Sequence, residues 1–153
     1  MARLYRVVRL NDRADSTTFT FLLPKTLLTD QMVHISSKDF TYGSHKWQVS
    51  FPRGDNKQLG TFLSIKNISA GMNVQLDVSF TIQNKEHFTK NEQYAEKDLR
   101  YSHDKPMNGR KNFIGLQELP MRGFALDNGE YLIDVELRNI KTWFEQVSVN
   151  FCF

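Results

Sequence analysis

The chain has 153 residues, 40% of them hydrophobic and 24% charged, and carries a net charge of +3. This is the length of one domain with ordinary globular composition, and the cationic excess is too small to imply a nucleic-acid partner. The single cysteine, Cys152, excludes an internal disulfide, and no apolar run approaches the roughly 20 residues needed to cross a bilayer.

Met1 to Asp12 has charges scattered through it and no apolar leader core, so a cytoplasmic protein without a membrane partner is expected. Within it, Leu4 to Leu10 is apolar and basic, with Arg3, Arg6 and Arg9 spaced by three. That spacing fits a short basic-faced helix or an edge strand, and residues 1–16 are read as an N-terminal extension. From residue 17 to 153 the pattern is that of one β domain. Phe19, Phe21 and Leu23 alternate with Thr18 and Thr20 until Pro24 ends the run. Met32 to Ile35 reads as a second strand. Lys46 to Phe51 reads as a third, with Trp47, Val49 and Phe51 on one face. The cluster from Pro52 to Asn56 turns the chain into a fourth strand, Leu59 to Lys66. The clearest signal follows in Asn73 to Gln83. Val74, Leu76, Val78, Phe80 and Ile82 point one way, and Gln75, Asp77, Ser79 and Thr81 the other.

Asn84 to Arg110 is polar, charged and poor in β-branched residues, so it reads as a long connection with a helical turn over Glu92 to Leu99. Leu116 to Leu119 predicts a second helical turn, stopped by Pro120. Asp127-Asn128-Gly129 is a tight turn into the alternation of Tyr131, Ile133, Val135 and Leu137. Val147, Val149 and Phe151 alternate again. The sum is an all-β fold of about eight strands, a sandwich or a barrel, with one or two short helical turns.

No machinery for chemistry accompanies this pattern, so an enzyme is not expected. His34, His45, His87 and His103 lie at no zinc-ligand spacing, and one cysteine builds no structural zinc site, so no metal or cofactor is expected. Cys152 sits at a chain end with no oxyanion-hole signature. Asp134 and Glu136 share a strand face as solvent-side residues, and the glycines are isolated, with no phosphate loop. Trp47, Val49 and Phe51 fit a packed core, and Tyr42 and Tyr101 are candidates for exposed aromatics near loops.

Five blocks in order resemble the TRAF-like (MATH) domain family. Gly43-Ser44-His45-Lys46-Trp47-Gln48-Val49-Ser50-Phe51 is similar to its "GYKW"-type strand, and Leu59-Gly60-Thr61-Phe62-Leu63-Ser64-Ile65 to its "HLSLFL"-type strand. Asp77 to His87 resembles the next strand and its "DQNNREH"-type turn. Asn108 to Leu119 resembles the "WGFKKFISLSDL"-type segment, and Asn128 to Leu137 the closing "DDTLIIEVEV"-type strand.

The resemblance implies an eight-stranded antiparallel β-sandwich of TRAF-like (MATH) type and a protein-interaction module. Such modules often serve ubiquitin-ligase or signalling adaptors and bind extended peptides along a sheet edge. The departures fall on the ligand side. Receptor-binding members have an Arg and a Tyr where this chain has Ser50 and Pro52. Of their serines only Ser102 remains, before Lys105-Pro106, and the aromatic pair of ligase adaptors is replaced by Asn108 and Arg110. By the resemblance, the segment from Arg100 to Gly115 supplies the peptide-facing edge. It offers Tyr101 as an aromatic anchor, Ser102 and Asn112 as hydrogen-bonding groups, and Lys105, Arg110 and Lys111 as positive charge. The expected partner is a protein or peptide carrying acidic or phosphorylated residues. Two other readings stand beside it. One is a carbohydrate- or small-ligand-binding sandwich that stacks sugars on Trp47, Tyr42 and Tyr101. The other is a structural domain that docks in a larger protein or homo-oligomer.

Overall fold

A computed structural model describes residues 1–10, 16–29, 35–54 and 57–145. Among them the strands are β1 (Arg3–Leu10), β2 (Ser16–Leu23), β3 (Ile35–Ser36), β4 (Phe40–Tyr42), β5 (His45–Phe51), β6 (Gln58–Lys66), β7 (Met72–Ile82), β8 (Glu92–Ser102), β9 (Met107–Gly115) and β10 (Tyr131–Phe144). They form two antiparallel sheets. One has the order β1-β2-β10-β7-β8; the other has the order β3-β5-β6-β9, with β4 also pairing β5.

Period-two sequences build both sheets, because one face of each must find the other. In β7 the side chains of Val74, Leu76, Val78, Phe80 and Ile82 are all buried, as are Trp47, Val49 and Phe51 in β5 and Tyr131, Ile133, Val135 and Leu137 in β10. The inner faces meet directly. Phe40 of β4 packs 4.5 Å from Phe19 and 5.6 Å from Phe21 of β2, and Trp47 of β5 meets Tyr101 of β8 edge-on at 5.2 Å. The arrangement is all-β and sandwich-like.

One open alternative is decided and three expectations change. Leu4 to Leu10, which fitted a short helix or an edge strand, is the edge strand, paired along β2, so these first residues belong to the sheet. The long polar connection is mostly two strands, β8 and β9, joined by a turn in which Ser102 and Lys105 exchange backbone hydrogen bonds of 3.1 Å. Only Phe88–Lys90 forms a short 3-10 turn there, so Glu92 to Leu99 is not helical. Finally, Pro120 does not stop the second helical turn but lies inside it, in α1 (Glu118–Met121). First-turn amides have no intrahelical acceptor, so proline costs nothing there. The turn ends instead at Gly123, at φ +80°, where the Phe124 amide reaches back to the Leu119 carbonyl and both side chains are buried. The expected strand at Val147 to Phe151 lies outside the described residues, as do Cys152 and most of Met32 to Ile35.

Register is adjusted around one carboxylate. Asp77 in β7 accepts a hydrogen bond from the Asp98 amide (2.9 Å) on one side and from Asn139 Nδ2 (2.8 Å) on the other. Asp98 and Asn139 both have φ +56°, and each marks a register shift in its own strand. The bulge at Asp98 resets the phase of β8, so that Leu99 and Tyr101 turn inward after Tyr94 and Glu96. Partial burial works against the charge on Asp77. The Asn139 and Asp98 hydrogen bonds, with Arg138 and Lys97 nearby, still hold its carboxyl below the ordinary value.

Candidate functional site

Beside β8, β9 forms the corresponding edge of the other sheet, and the two strands close one lateral side of the sandwich. Among the described residues β9 pairs only with β6, so its outer row of amides and carbonyls is open. Two features fix the strand. At its start, Gly109 lies against β6 so closely that a Cβ would sit 2.1 Å from the Thr61 carbonyl oxygen and 2.7 Å from Phe62 Cα. Further on, the single residue Gly60 of β6 faces three residues of β9, Lys111, Asn112 and Phe113, between the pairs Leu59–Ile114 and Thr61–Arg110. That wide bulge leaves Lys111 and Asn112 exposed while Ile114 returns to the core.

A cleft lies at each end of the strand. One of about 390 Å³ is lined by Asn73, Leu99, Tyr101, Ser102, Lys105 and Asn108, among others. A larger one of about 630 Å³ lies past the other end, between Leu28, Arg53, Gly54 and Lys57 on one part and Leu116, Gln117 and Pro120 on the other. A Cβ at Gly54, in that lining, would lie 3.7 Å from Asn112 Oδ1 and 3.8 Å from the Lys111 carbonyl oxygen. The edge thus runs from cleft to cleft, with Lys105 and Lys111 as exposed cations along it.

The six residues singled out from sequence separate into groups. Ser102 and Lys105 line the smaller cleft, and Ser102 Oγ accepts a hydrogen bond from the Lys105 amide at 3.2 Å. Lys111 and Asn112 occupy the bulge. Arg110 is engaged within the chain. Its Nε and Nη2 donate to Glu96 Oε1 at 2.9 and 2.5 Å, and its guanidinium lies 4.1 Å from the centre of the Tyr94 ring. Tyr94 in turn stacks on Phe80 at 5.4 Å and meets Phe113 edge-on at 5.2 Å, while its hydroxyl pairs with Thr61 Oγ1.

Tyr101 is a correction. It is 1% exposed, packed on Trp47, and its hydroxyl donates to the Leu63 carbonyl at 2.9 Å. Burial pushes its phenol far above the usual tyrosine range. It ties β8 to β6 and presents no anchor to solvent. Tyr42 and Trp47 are equally buried, with Trp47 Nε1 donating to the Tyr42 carbonyl at 2.9 Å, so none of the three aromatics of the sugar-stacking reading faces outward.

Sequence reasoning missed Tyr94 and Glu96, which clamp Arg110. The usable signal was the spacing Tyr94, Glu96, then Leu99 and Tyr101: two alternations joined by a one-residue slip.

The class that these features define is an all-β domain with two stacked antiparallel sheets and an open, partly cationic strand edge. No protein-family model matches the chain, and no curated protein matches it in sequence.

Proposed function

We propose that the chain is a divergent TRAF-like (MATH) domain that works as a peptide-binding or scaffold module, recruiting a cytoplasmic protein partner for a ubiquitin-ligase or signalling adaptor. The observation that carries the binding part of this reading is the open β9 edge between two clefts. A peptide that adds a strand there gains main-chain hydrogen bonds from β9 and places its ends over the clefts. Support for the family comes from where the five blocks fall. They lie on β5, on β6, on β7 and its following turn, on β9 into α1, and on β10, in that order.

Lys105 and Lys111 favour a peptide with acidic or phosphorylated residues, and Asn112 and Ser102 offer hydrogen-bonding groups beside them. Arg110 contributes little free charge, because Glu96 already holds it. Affinity then rests on the backbone ladder and the clefts, and the lysines chiefly steer association.

The test is an array of acidic and phosphorylated peptides probed with the protein and with Lys105→Glu/Lys111→Glu. Both lysines are exposed, so the fold is kept. Binding weakened several-fold in the variant, most at low salt, supports the reading. Full binding by the folded variant moves the interface off this edge.

A further inference from the structure

On the opposite side of the sandwich, β1 presents a second open edge of a different chemistry. Ala2 is bridged to Ser37, and beyond it no described strand pairs with the outer side of Leu4 to Leu10. β1 is apolar but uncovered. Leu4 is 50%, Val7 49% and Val8 42% exposed. The register assigns its faces, since paired residues share a side of the sheet. Leu4 and Val7 stand opposite Phe21 and Phe19 of β2, on the core-facing side, yet the second sheet does not reach over them. Arg6 and Val8 stand opposite Thr20 and Thr18, on the outer side, which also carries Arg3 opposite Leu22. At the start of the strand an apolar groove of about 440 Å³ is bounded by Leu4, Phe21 and Phe40, with Arg3, Lys38 and Asp39 in its lining.

An eight-residue edge strand that exposes apolar side chains is a template for another strand. Its charge selects which. β1 carries three arginines and no acid, and β2 beside it carries no charge at all. Arg3 pairs with Glu130 at 2.9 Å, whereas Arg6 and Arg9 make no ion pair with a described residue. Pairing with a second copy of β1 would bring three arginines from each strand together with no carboxylate between them, which opposes association. A strand with apolar residues on its inner face and carboxylates on its outer face matches both sides of β1.

We infer that the β1 edge is a second docking site, which takes an extended, amphipathic acidic segment of a partner protein by strand addition. Its apolar side chains cover Leu4 and Val7, and its carboxylates face Arg6 and Arg3. The site is separate from the β9 edge and does not depend on the function proposed there.

The test uses the whole chain and a fluorescein-labelled eight-residue peptide alternating glutamate and valine. Its counterparts are a lysine–valine peptide and the glutamate–valine peptide with alternate amides N-methylated. The glutamate–valine peptide is expected to bind at least about tenfold more tightly than either counterpart. Arg3→Glu/Arg6→Glu should abolish that preference, about the effect of two lost surface ion pairs. Lys105→Glu/Lys111→Glu should leave it unchanged, which keeps failure here distinct from failure at β9. In the unaltered protein the peptide should also slow amide exchange across Leu4 to Leu10, a readout that needs no variant. Absence of binding, equal binding of the N-methylated peptide, sensitivity to the β9 variant, or unchanged exchange in β1 each overturns the proposal. So does concentration-dependent self-association that competes with the peptide, which would make a second copy the occupant.

Discussion

Both lateral sides of this sandwich carry a strand edge that no described strand pairs along, and the two are built in opposite ways. On the β8–β9 side, strands of both sheets are sewn together. Tyr101 bridges from β8 to the Leu63 carbonyl of β6, Tyr94 reaches Thr61 in the same strand, and Gly109 lets β9 lie against the Thr61 and Phe62 backbone. On the β1 side, the edge strand is held, among the described residues, by β2 alone over most of its length, and its inner-face residues Leu4 and Val7 remain half exposed. An open edge is therefore not one kind of object. β9 is a fixed ledge whose conformation is set before any partner arrives, which lowers the ordering cost of docking. β1 is an exposed apolar strand with its own burial still to gain.

That contrast breaks most visibly at Tyr101. Tyr101→Ala removes a buried ring from the Trp47 contact and should destabilise the protein by about 3–5 kcal/mol in chemical denaturation. A change under about 1 kcal/mol, with the fold kept, would mean that the side chain is a surface group after all. Gly109→Ala comes next. Its methyl group would run into the β6 backbone at Thr61 and Phe62, so β9 must move away from β6, at about 2–3 kcal/mol. Unchanged stability would show that β9 is not pinned.

A smaller effect should come from Asp77, whose two hydrogen bonds hold the bulges on either side. Asp77→Ala should cost about 1 kcal/mol, the net scale of a typical hydrogen bond at a partly buried group. Its carboxyl is held below the ordinary value of 3.8, so its contribution is present above that pH and is lost as pH falls through the lower folded value. Acid melts of the wild type should drop more steeply below about pH 4 than those of the variant. Parallel curves would remove Asp77 from the account. The smallest effect belongs to β1. Val7→Thr on the open side should change stability by no more than about 0.5 kcal/mol, and a core-sized loss would show that this side is covered.

How much of this was legible follows the same physics. β7 reads correctly residue by residue because it lies inside a sheet with one buried face, and burial is what imposes a period of two. Its neighbour β8 does not, because an edge strand leaves Gln93, Ala95, Lys97 and Arg100 in solvent and its phase slips at Asp98. A slip of one residue turns an alternation into something that resembles a helical turn or a loop. β1 stayed undecided because arginines spaced by three suit a helix, and only pairing with β2 decides. At the candidate site, Lys105, Lys111 and Asn112 were legible as polar residues near turns. Tyr101 was misread because Ser102-His103-Asp104-Lys105-Pro106 follows it immediately and reads as loop, while its acceptor, the Leu63 carbonyl, lies on another sheet. The Glu96–Arg110 pair spans 14 residues, and nothing in local spacing predicts it.

The central claim is that β9 is the edge that receives a peptide. Amide hydrogen exchange with and without the tightest acidic or phosphorylated peptide from the array tests it most directly. The account predicts slower exchange confined to Met107 to Gly115 and the Ser102–Lys105 turn, with the amides of β7 unchanged. Protection that appears elsewhere while Met107 to Gly115 exchanges as before would contradict it.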